Sequence, residues 1–413
     1  MLSHADNQLL TQTDKGTPYG DLMRRYWIPA LLSSEVPEKD GAPVRVRILG
    51  EELVAFRATD GRIGLIGEFC LHRSTSLFFG RNEDCGLRCV YHGWKYDLDG
   101  HVTDTPGEPP GSTFKDRLKH VAYPTIEAGG MVFAYLGPPD KKPEFPNYSW
   151  RNLPADQVYV TKCLLDCNFM QGVEGECDSA HLTQLHRFFK NDPTSPIKDP
   201  QSRLYLHDPA PVYDREETDF GMRLIATRNS PDGGKYVRIS SFEMPMACWI
   251  LAIRKEVHYY VPINDRQCWR FDFGFDPDQA VPADIRYGGR DKFILPDFRR
   301  TARMDNDYNI DRQKQKTVNF TGVDNFVNQD ALAAESQGAI VDREREHLGQ
   351  SDAGLVAVRR FILNAVKSFR DGAEPPHQVR DPASNVFDHL DTVDIVVPPG
   401  KTWREMLPHL ARV

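Results

Sequence analysis

CLHRSTSLFFGRNEDCGLRCVYHGW, residues 70–94, contains three cysteines and two histidines. Cys70 and His72 form one close pair, and Cys89 and His92 form a second pair after sixteen intervening residues. Thiolate and imidazole groups are metal ligands, so two such pairs predict a metal site built from two loops. The third cysteine, Cys85, belongs to neither pair, and we expect it to be a free, at least partly buried thiol.

Two kinds of metal site use this set of ligands. In a Rieske [2Fe-2S] centre, one iron takes two Cys thiolates and the other takes two His nitrogens, so each loop supplies one residue of each type. A tetrahedral zinc site uses the same ligand types, and Cys85 would then be a spare ligand. The spacing is not that of an ordinary zinc finger, and Tyr91, Gly93 and Trp94 flank the second histidine. These features favour the iron-sulfur cluster. Trp94 itself is expected to be a core residue.

The second loop and its continuation, CVYHGWKYDLDG at 89–100, resemble the Rieske domain of ring-hydroxylating oxygenases. This resemblance implies that Cys70, His72, Cys89 and His92 bind a [2Fe-2S] cluster in a small β domain.

Composition narrows the class of protein. The chain has 413 residues, of which 40% are hydrophobic and 27% charged, which is enough for two or three packed domains. Residues 1–16 lack the basic and apolar regions of a secretion signal, and no apolar run is long enough to span a bilayer. Eight dispersed cysteines favour a reducing compartment. A net charge of −8 argues against a nucleic-acid partner. We therefore expect a cytoplasmic protein without membrane or nucleic-acid partners.

The strand and helix patterns predict an α+β fold. Short alternating apolar runs at 42–69 and 121–137 predict antiparallel strands, and the proline-rich stretch at 137–148 predicts a connection between domains. We therefore divide the chain into an N-terminal segment at 1–40, a β-rich Rieske domain at 41–148 and a catalytic domain at 149–413. Within the last, four runs between 235 and 275 predict a second sheet, while 168–190 and 330–370 predict helices. The resemblance implies that these helices wrap an antiparallel sheet.

A second metal site is predicted by NFMQGVEGECDSAHLTQLH at 168–186. His181 and His186 lie five residues apart on the predicted helix, so a small irregularity would bring both rings to one metal. The pattern resembles the Asp-x-x-His-x4-His element of Rieske non-haem iron oxygenases, including the accompanying Asn168 and Glu174. The resemblance implies that both histidines bind mononuclear iron, which leaves positions open for O2 when one carboxylate completes a facial triad.

The carboxylate is expected far along the chain. FVNQDALAAESQGAIVDREREHLG at 326–349 resembles the C-terminal segment of the phthalate-dioxygenase-like branch, which implies that Asp330 is the third iron ligand. Composition alone would also allow Asp324 or Glu335. GTPYGDLMRRYWIPAL at 16–31 resembles the start of members of this branch, so the match runs from near residue 1 to about 365. It departs at Glu176–Cys177, and 205–260 matches no single substrate class.

The resemblance implies the terminal oxygenase component of a multicomponent system. A separate flavin and iron-sulfur reductase delivers electrons from NADH to the cluster, which passes them to the iron where O2 is activated. Asp178 lies one turn before His181 on the predicted helix, where its carboxylate would accept a hydrogen bond from the free ring nitrogen of His181. The family equivalent of Asp178 also bridges to a Rieske histidine, here His92, of a neighbouring subunit. A homo-oligomer, either a trimer or a dimer of trimers, is therefore expected.

The expected substrate is an aromatic carboxylate of the phthalate or phenoxybenzoate type. Its charge needs a cationic or polar partner, because burying an unpaired carboxylate is costly. Asn168, Arg238, Arg254 and Lys255 are the candidates. Oxidative O-demethylation of a methoxylated aromatic acid uses the same metals and remains open. The alternatives from other classes are an iron-sulfur electron carrier without mononuclear iron and a zinc-binding interaction module.

Overall fold

The structure is a computed structural model that describes residues 2–189, 201–252, 254–286 and 291–411. The strands within these ranges are β1 Trp27–Leu32, β2 Val44–Ile48, β3 Glu51–Arg57, β4 Ile63–Gly67, β5 Arg81–Glu83, β6 Gly86–Arg88, β7 Lys95–Asp97, β8 Val102–Asp104, β9 Thr125–Ala128, β10 Met131–Tyr135, β11 Val158–Leu165, β12 Val212–Glu217, β13 Gly221–Asn229, β14 Lys235–Glu243, β15 Ala247–Leu251, β16 Lys255–Asn264, β17 Gln267–Phe275 and β18 Val393–Val397. The helices are α1 His4–Thr11, α2 Pro18–Met23, α3 Phe169–Glu176, α4 Ala283–Arg286, α5 Lys314–Thr317, α6 Phe326–Glu335, α7 Ala353–Arg370 and α8 Trp403–Met406.

Three small antiparallel sheets form the N-terminal part. Their orders are β2-β3-β4, β5-β6-β7-β8 and β1-β10-β9. In β2, Val46 and Ile48 point inward while Arg45 and Arg47 are exposed, as strand alternation requires. Because β1 pairs with β10 at Trp27 and Tyr135, part of the predicted N-terminal segment is a strand of this β-rich region.

One large antiparallel sheet forms the C-terminal part. Its order is β11-β17-β16-β15-β14-β13-β12, and β18 pairs with β14 beside β15. The aromatic and β-branched runs between 235 and 275 form β14 to β17, so the predicted second sheet is confirmed. The α+β fold, a β-rich N-terminal region followed by an antiparallel sheet with helices, is also confirmed.

The two long predicted helices are shorter than expected. The helix predicted at 168–190 begins at the Asn168 cap but ends at Glu176, and residue 190 lies outside the described ranges. Here the carboxylate of Asp178 accepts a hydrogen bond from the Ala180 N–H, a local turn that competes with helical hydrogen bonds. The helix predicted at 330–370 is two helices, α6 and α7. Gly338, between them, has a φ of +96°, which a helix does not allow.

A continuous apolar core joins the two parts of the chain. Trp150 stacks on Phe133 of β10 and also contacts Phe273 of β17, and all three side chains are buried. Tyr148 stacks on Trp150 within the same core. The boundary near 148 therefore remains a prediction, because the core shows no break there.

Helix α3 packs closely on the large sheet. A Cβ placed at Gly172 would lie 2.1 Å from a ring carbon of Tyr260 in β16, so this approach requires glycine. Helix α6 packs beside α3. These two contacts bring the segment after α3 next to Asp330 of α6. Within the described ranges, no helix is both long and apolar enough to cross a membrane.

Candidate metal centres

Two tight loops carry the Cys and His pairs. In the loop after β4, the Cys70 N–H donates to the Thr75 carbonyl at 2.9 Å. In the loop between β6 and β7, the Cys89 N–H donates to the Trp94 carbonyl at 2.8 Å, and Gly93 has a φ of +75° that favours glycine. Each loop thus places one Cys and one His at the same end of the β-rich region.

The four side chains fit a Rieske cluster. The ring centroids of His72 and His92 lie 4.4 Å apart, and both rings are exposed, whereas Cys70 and Cys89 are buried. Thiolates on the protein side and imidazoles on the solvent side match the two ends of a [2Fe-2S] centre. Burial raises the pKa of the Cys89 thiol. The residues present therefore fit the cluster.

Two neighbours of these ligands complete the centre. The Tyr96 hydroxyl lies 3.0 Å from Cys70 Sγ and also accepts a hydrogen bond from the Leu71 N–H at 3.0 Å. Trp94 is buried, as expected, and stacks on the His72 ring at 4.7 Å. Cys85 is a half-buried free thiol in the turn between β5 and β6, as predicted.

The structure brings the predicted iron ligands His181, His186 and Asp330 together. One ligand atom of each residue lies within 4.8 Å of the other two, and His186 Nε2 lies 2.9 Å from Asp330 Oδ1. His181 starts a short 3-10 turn, which supplies the irregularity that brings its ring to His186. Two imidazoles and one carboxylate at these distances fit the facial triad of mononuclear iron.

Each histidine is fixed through the ring nitrogen that faces away from the triad. His186 Nδ1 lies 2.8 Å from Gln329 Oε1, and Gln329 Nε2 donates to the Val323 carbonyl. His181 Nδ1 contacts the backbone carbonyl of Asp178. Such contacts select one tautomer and leave the other nitrogen free for a metal.

Burial and charge set the protonation of this site. Burial lowers the pKa of His181. Burial also acts to lower the pKa of His186, but Asp330 overrides it and the pKa is raised. Burial opposes ionisation of Asp330, yet His186 and Arg270 together hold the pKa of that carboxyl well below its usual range. These charged neighbours therefore favour the carboxylate form of Asp330.

Asp178 lies beside His181, with a different contact from the predicted one. Its backbone carbonyl, not its carboxylate, is the nearest acceptor of the His181 ring, and its Oδ2 is 3.9 Å from His181 Nδ1. The reason is that α3 has already ended, so the carboxylate caps the turn at Ala180. The side chain is half-buried and reaches the surface. Its bridging role remains a prediction.

The predicted substrate residues are engaged elsewhere. Both amide hydrogens of Asn168 are donated to the Thr11 and Asp265 carbonyls, while its Oδ1 caps α3. Arg238 pairs with Asp394 at 2.8 Å, and Lys255 pairs with Asp391 at 2.8 Å. Arg254 is half-buried, and its Nε and Nη1 have no hydrogen-bond partner in the described chain.

The acids considered beside Asp330 also have other partners. Glu335 pairs with Arg300, and Asp324 pairs with Lys314 at 2.7 Å. Glu174, the companion of the histidine motif, pairs with Arg343 at 2.8 Å. It thus ties α3 to the loop after α6.

Sequence reasoning missed a buried polar network behind Asp330. Arg270 Nη1 donates to Asp330 Oδ2 at 3.1 Å, and Arg270 Nε donates to Asp272 at 2.6 Å. Its signal is present in CWRFDFGF, where two charged residues two apart share one face of an otherwise apolar strand. The sequence analysis also missed Arg228, which is a buried residue of β13.

A cavity of about 390 Å³ adjoins the triad. Asp178, His181, Arg270 and Asp330 contribute to its wall. Its volume lies in the range of small-molecule sites. The triad is thus open to a substrate-sized space on this side.

The family of the chain follows from fold, sites and sequence together. Residues 26–122 match the Rieske [2Fe-2S] domain, and residues 134–411 match the LigXa C-terminal domain like family. The chain belongs to the Rieske non-haem iron oxygenases. It is a terminal oxygenase component that carries a [2Fe-2S] cluster and mononuclear iron and uses O2 with NADH-derived electrons from a reductase. It is an enzyme, not an electron carrier or a zinc-binding module.

Three of its relatives are oxygenase subunits named for aromatic acids. The chain is 39% identical to the phthalate 4,5-dioxygenase oxygenase subunit of Pseudomonas putida, over 90% of this chain and 88% of that protein. It is 34% identical to the 3-chlorobenzoate-3,4-dioxygenase oxygenase subunit of Comamonas testosteroni, over 90% of each. It is 31% identical to the 5,5'-dehydrodivanillate O-demethylase oxygenase subunit of a Sphingobium species, over 95% and 87%.

A solved structure supports the fold alone. Dicamba monooxygenase bound to 3,6 dichlorosalicylic acid superimposes with a TM-score of 0.61 at 17% identity. The match covers 85% of this chain and 99% of that one.

Proposed function

We propose that this oxygenase hydroxylates an aromatic carboxylic acid of the phthalate or phenoxybenzoate type. The observation that carries this proposal is the 39% identity to the phthalate 4,5-dioxygenase subunit over 90% of the chain. The 3-chlorobenzoate enzyme, at 34% identity, is also named for a benzoic acid. A ring bearing a carboxylate is the feature that both named substrates share.

The proposed roles of the chain's residues follow from their positions. Cys70, Cys89, His72 and His92 hold the cluster, and the second centre is held by His181, His186 and Asp330. When bound, the two metal centres supply electron transfer and O2 activation. The protein orients the histidines through Gln329 and the Asp178 carbonyl and shields the thiolates from water.

Arg228 is the proposed partner of the substrate carboxylate. It is 1% exposed, and among the described residues its guanidinium donates only to Ser179, at 3.0 Å to Oγ and 2.7 Å to the carbonyl. Within the described chain no carboxylate pairs with it, and burial lowers its pKa. Ser179 follows Asp178, which lines the cavity. A buried, uncompensated guanidinium there favours an anionic ligand.

The role of Arg228 is tested by separating charge recognition from general damage. In Arg228→Met, KM for an aromatic acid should rise at least about tenfold, since a hydrogen bond to a charged group contributes about 1.5–3 kcal/mol. KM for the corresponding neutral amide should change little. The same two KM values are measured for Arg254→Met, because Arg254 is the remaining candidate from the sequence. Equal changes for acid and amide would remove Arg228 from the site.

A homo-oligomer, a trimer or a dimer of trimers, is proposed as the working cytoplasmic assembly. Leu71, Val90 and Tyr91 lie beside the exposed cluster histidines and are 43%, 55% and 53% exposed. Apolar side chains clustered around a redox centre fit burial against a second copy of the chain. We propose that the second copy places the carboxylate of its Asp178 beside these exposed cluster histidines. Light scattering of Val90→Glu should show dissociation, whereas Val212→Glu, at an exposed valine in β12, should leave the assembly intact.

Product analysis tests the proposed reaction. The purified chain, a reductase and NADH are incubated with aromatic acids and with methoxylated aromatic acids. Hydroxylated acids at one NADH per turnover support the proposal. Formaldehyde release would instead support oxidative O-demethylation, the alternative favoured by the 31% identity to the dehydrodivanillate enzyme.

A further inference from the structure

The two oxygens of Asp330 have different surroundings. Oδ1 lies 2.9 Å from His186 Nε2, inside the triad. Oδ2 accepts a hydrogen bond from Arg270 Nη1 at 3.1 Å, outside the triad. Arg270 extends from β17 and is 2% exposed. Arg270 therefore bonds the second oxygen of Asp330, which a carboxylate that ligates through both oxygens would also present to a metal.

Arg270 is itself held in one orientation. Its Nε donates to Asp272 Oδ1 at 2.6 Å, and its Nη2 lies 3.5 Å from Glu176 Oε1. The same Glu176 oxygen accepts hydrogen bonds from the Tyr260 hydroxyl and from His258 Nδ1, each at 2.6 Å. The guanidinium plane is thus fixed by carboxylates on two of its edges.

This array is a costly way to stabilise a fold. Four carboxyl groups and two basic groups share it: Glu176, Glu256, Asp272, Asp330, His258 and Arg270. All of them are at least nine-tenths buried except Asp330, whose side chain is 26% exposed. Replacing a buried ion-pair network with packed apolar side chains is often neutral or stabilising. A network with no stability advantage, in direct contact with a metal ligand, points to a role at the metal.

We propose that Arg270 is a positioning residue that limits Asp330 to ligation through Oδ1, and that Glu176 keeps Arg270 in place. The proposal rests on the assignment of His181, His186 and Asp330 as the iron ligands. A carboxylate that binds through one oxygen leaves one more position free for O2 and substrate than a carboxylate that binds through two. Arg270 touches the ligand, not the reacting atoms.

A conservative variant separates positioning from charge. Arg270→Lys keeps the positive charge but has no planar fork, so it cannot bond Asp272 and Asp330 at once. If Arg270 only neutralises charge, lysine restores the site. If Arg270 positions Asp330, lysine does not.

The experiment uses Co²⁺ alone as the probe, on full-length protein stripped of mononuclear iron with its cluster intact and oxidised. The oxidised cluster is diamagnetic, so electron paramagnetic resonance reports high-spin Co²⁺ at the triad. Arg270→Lys should weaken Co²⁺ binding by about 10–100-fold, the usual loss when a partner behind a ligand is changed. Its Co²⁺ spectrum should also change shape. Arg300→Lys is the matched control, because Arg300 is buried and pairs with Glu335 on the same helix as Asp330.

Each outcome decides the proposal. Wild-type Co²⁺ affinity and spectrum in a folded Arg270→Lys variant would overturn it. If that variant lacks the cluster absorption of a folded chain, Glu176→Gln takes its place, and an unchanged spectrum there overturns the proposal equally. Asp330→Ala, titrated alongside, should lose Co²⁺ binding. If it does not, the ligand assignment has failed, and the Arg270 role fails with it.

Discussion

His186 illustrates how single residues build the iron site. Its Nδ1 faces Gln329, its Nε2 faces Asp330, and Asp330 in turn faces Arg270. The cluster shows the same arrangement, since Cys70 Sγ contacts the Tyr96 hydroxyl. At the iron site, the side chains behind the ligands decide which atom is presented to the metal, and at the cluster Tyr96 holds the single sulfur of Cys70 in place.

Replacing His92 with Ala tests the cluster assignment. One iron then loses one of its two imidazole ligands, so the Rieske visible absorption should disappear while mononuclear iron remains. His101→Ala, at an exposed histidine of the same region, should keep the absorption. A normal visible spectrum in His92→Ala would contradict the assignment.

Glu243 should make stability depend on pH. Its carboxyl is buried between the Tyr148 hydroxyl at 2.5 Å and Trp249 Nε1 at 2.8 Å. Burial is the largest effect and raises the pKa to about 7. The folded chain therefore binds this proton more tightly than the unfolded chain. Its stabilisation is complete below the ordinary Glu pKa of about 4.5 and is lost as pH rises through about 7.

Glu243→Gln measures this effect. The free energy of unfolding of the wild type should fall by on the order of 3 kcal/mol more than that of the variant between pH 4.5 and 8. Glu127→Gln is the control with opposite sign, because Arg57 lowers the pKa of Glu127 against the effect of burial. Parallel pH profiles of wild type and Glu243→Gln, in denaturant titrations, would show that folding does not raise the pKa of Glu243.

At the scale of elements, the start of α3 was predictable and its end was not. Asn168 precedes the helical pattern as caps do, so the sequence marks the first turn. Helix α3 ends where the Asp178 carboxylate accepts a hydrogen bond from the Ala180 N–H in a local turn. Composition does not reveal this contact. Strands β14 to β17 were predictable because their apolar runs are long. The contact of Arg270 with Asp330, sixty positions apart, depends on tertiary packing and was not predictable.

Asn168→Ala tests whether this residue serves the helix or the substrate. It removes the α3 cap and leaves the buried Thr11 and Asp265 carbonyls without their donor. The loss of the cap and of these hydrogen bonds should lower the free energy of unfolding by about 2–4 kcal/mol, with KM unchanged. Asn168→Asp keeps the acceptor of the cap but not the two donors, so its free energy of unfolding should lie between those of the wild type and of Asn168→Ala. A raised KM at unchanged stability would return Asn168 to the substrate site.

At the scale of the whole molecule, the two metal centres lie in different parts of the chain, and the cluster cysteines pack in a smaller core of their own. The ligand pairs were predictable because each is local, and Asp330 was predictable only through resemblance to a family. The sequence did not predict that β1 joins β10, because that pairing spans about a hundred residues. The sequence also did not reveal the proposed role of Arg228, because that role depends on the contact between Arg228 and Ser179 in the folded chain.

Asp178→Asn tests the proposed coupling of one subunit to the next. Asparagine keeps an oxygen for the Ala180 N–H and leaves the backbone carbonyl that His181 contacts, so the turn, the oligomer, the cluster and most mononuclear iron should persist. The negative charge that is proposed to face a cluster histidine of the neighbouring subunit is lost. Rapid mixing is used to measure how fast O2 reoxidises the reduced cluster when substrate is bound. This rate should fall by more than the 10–100-fold that is typical of a residue behind a ligand, because the change also interrupts the path between the two centres. Asp324→Asn, at an exposed acid paired with Lys314, should react like the wild type. Wild-type reoxidation in Asp178→Asn would mean that electrons reach the iron by another route.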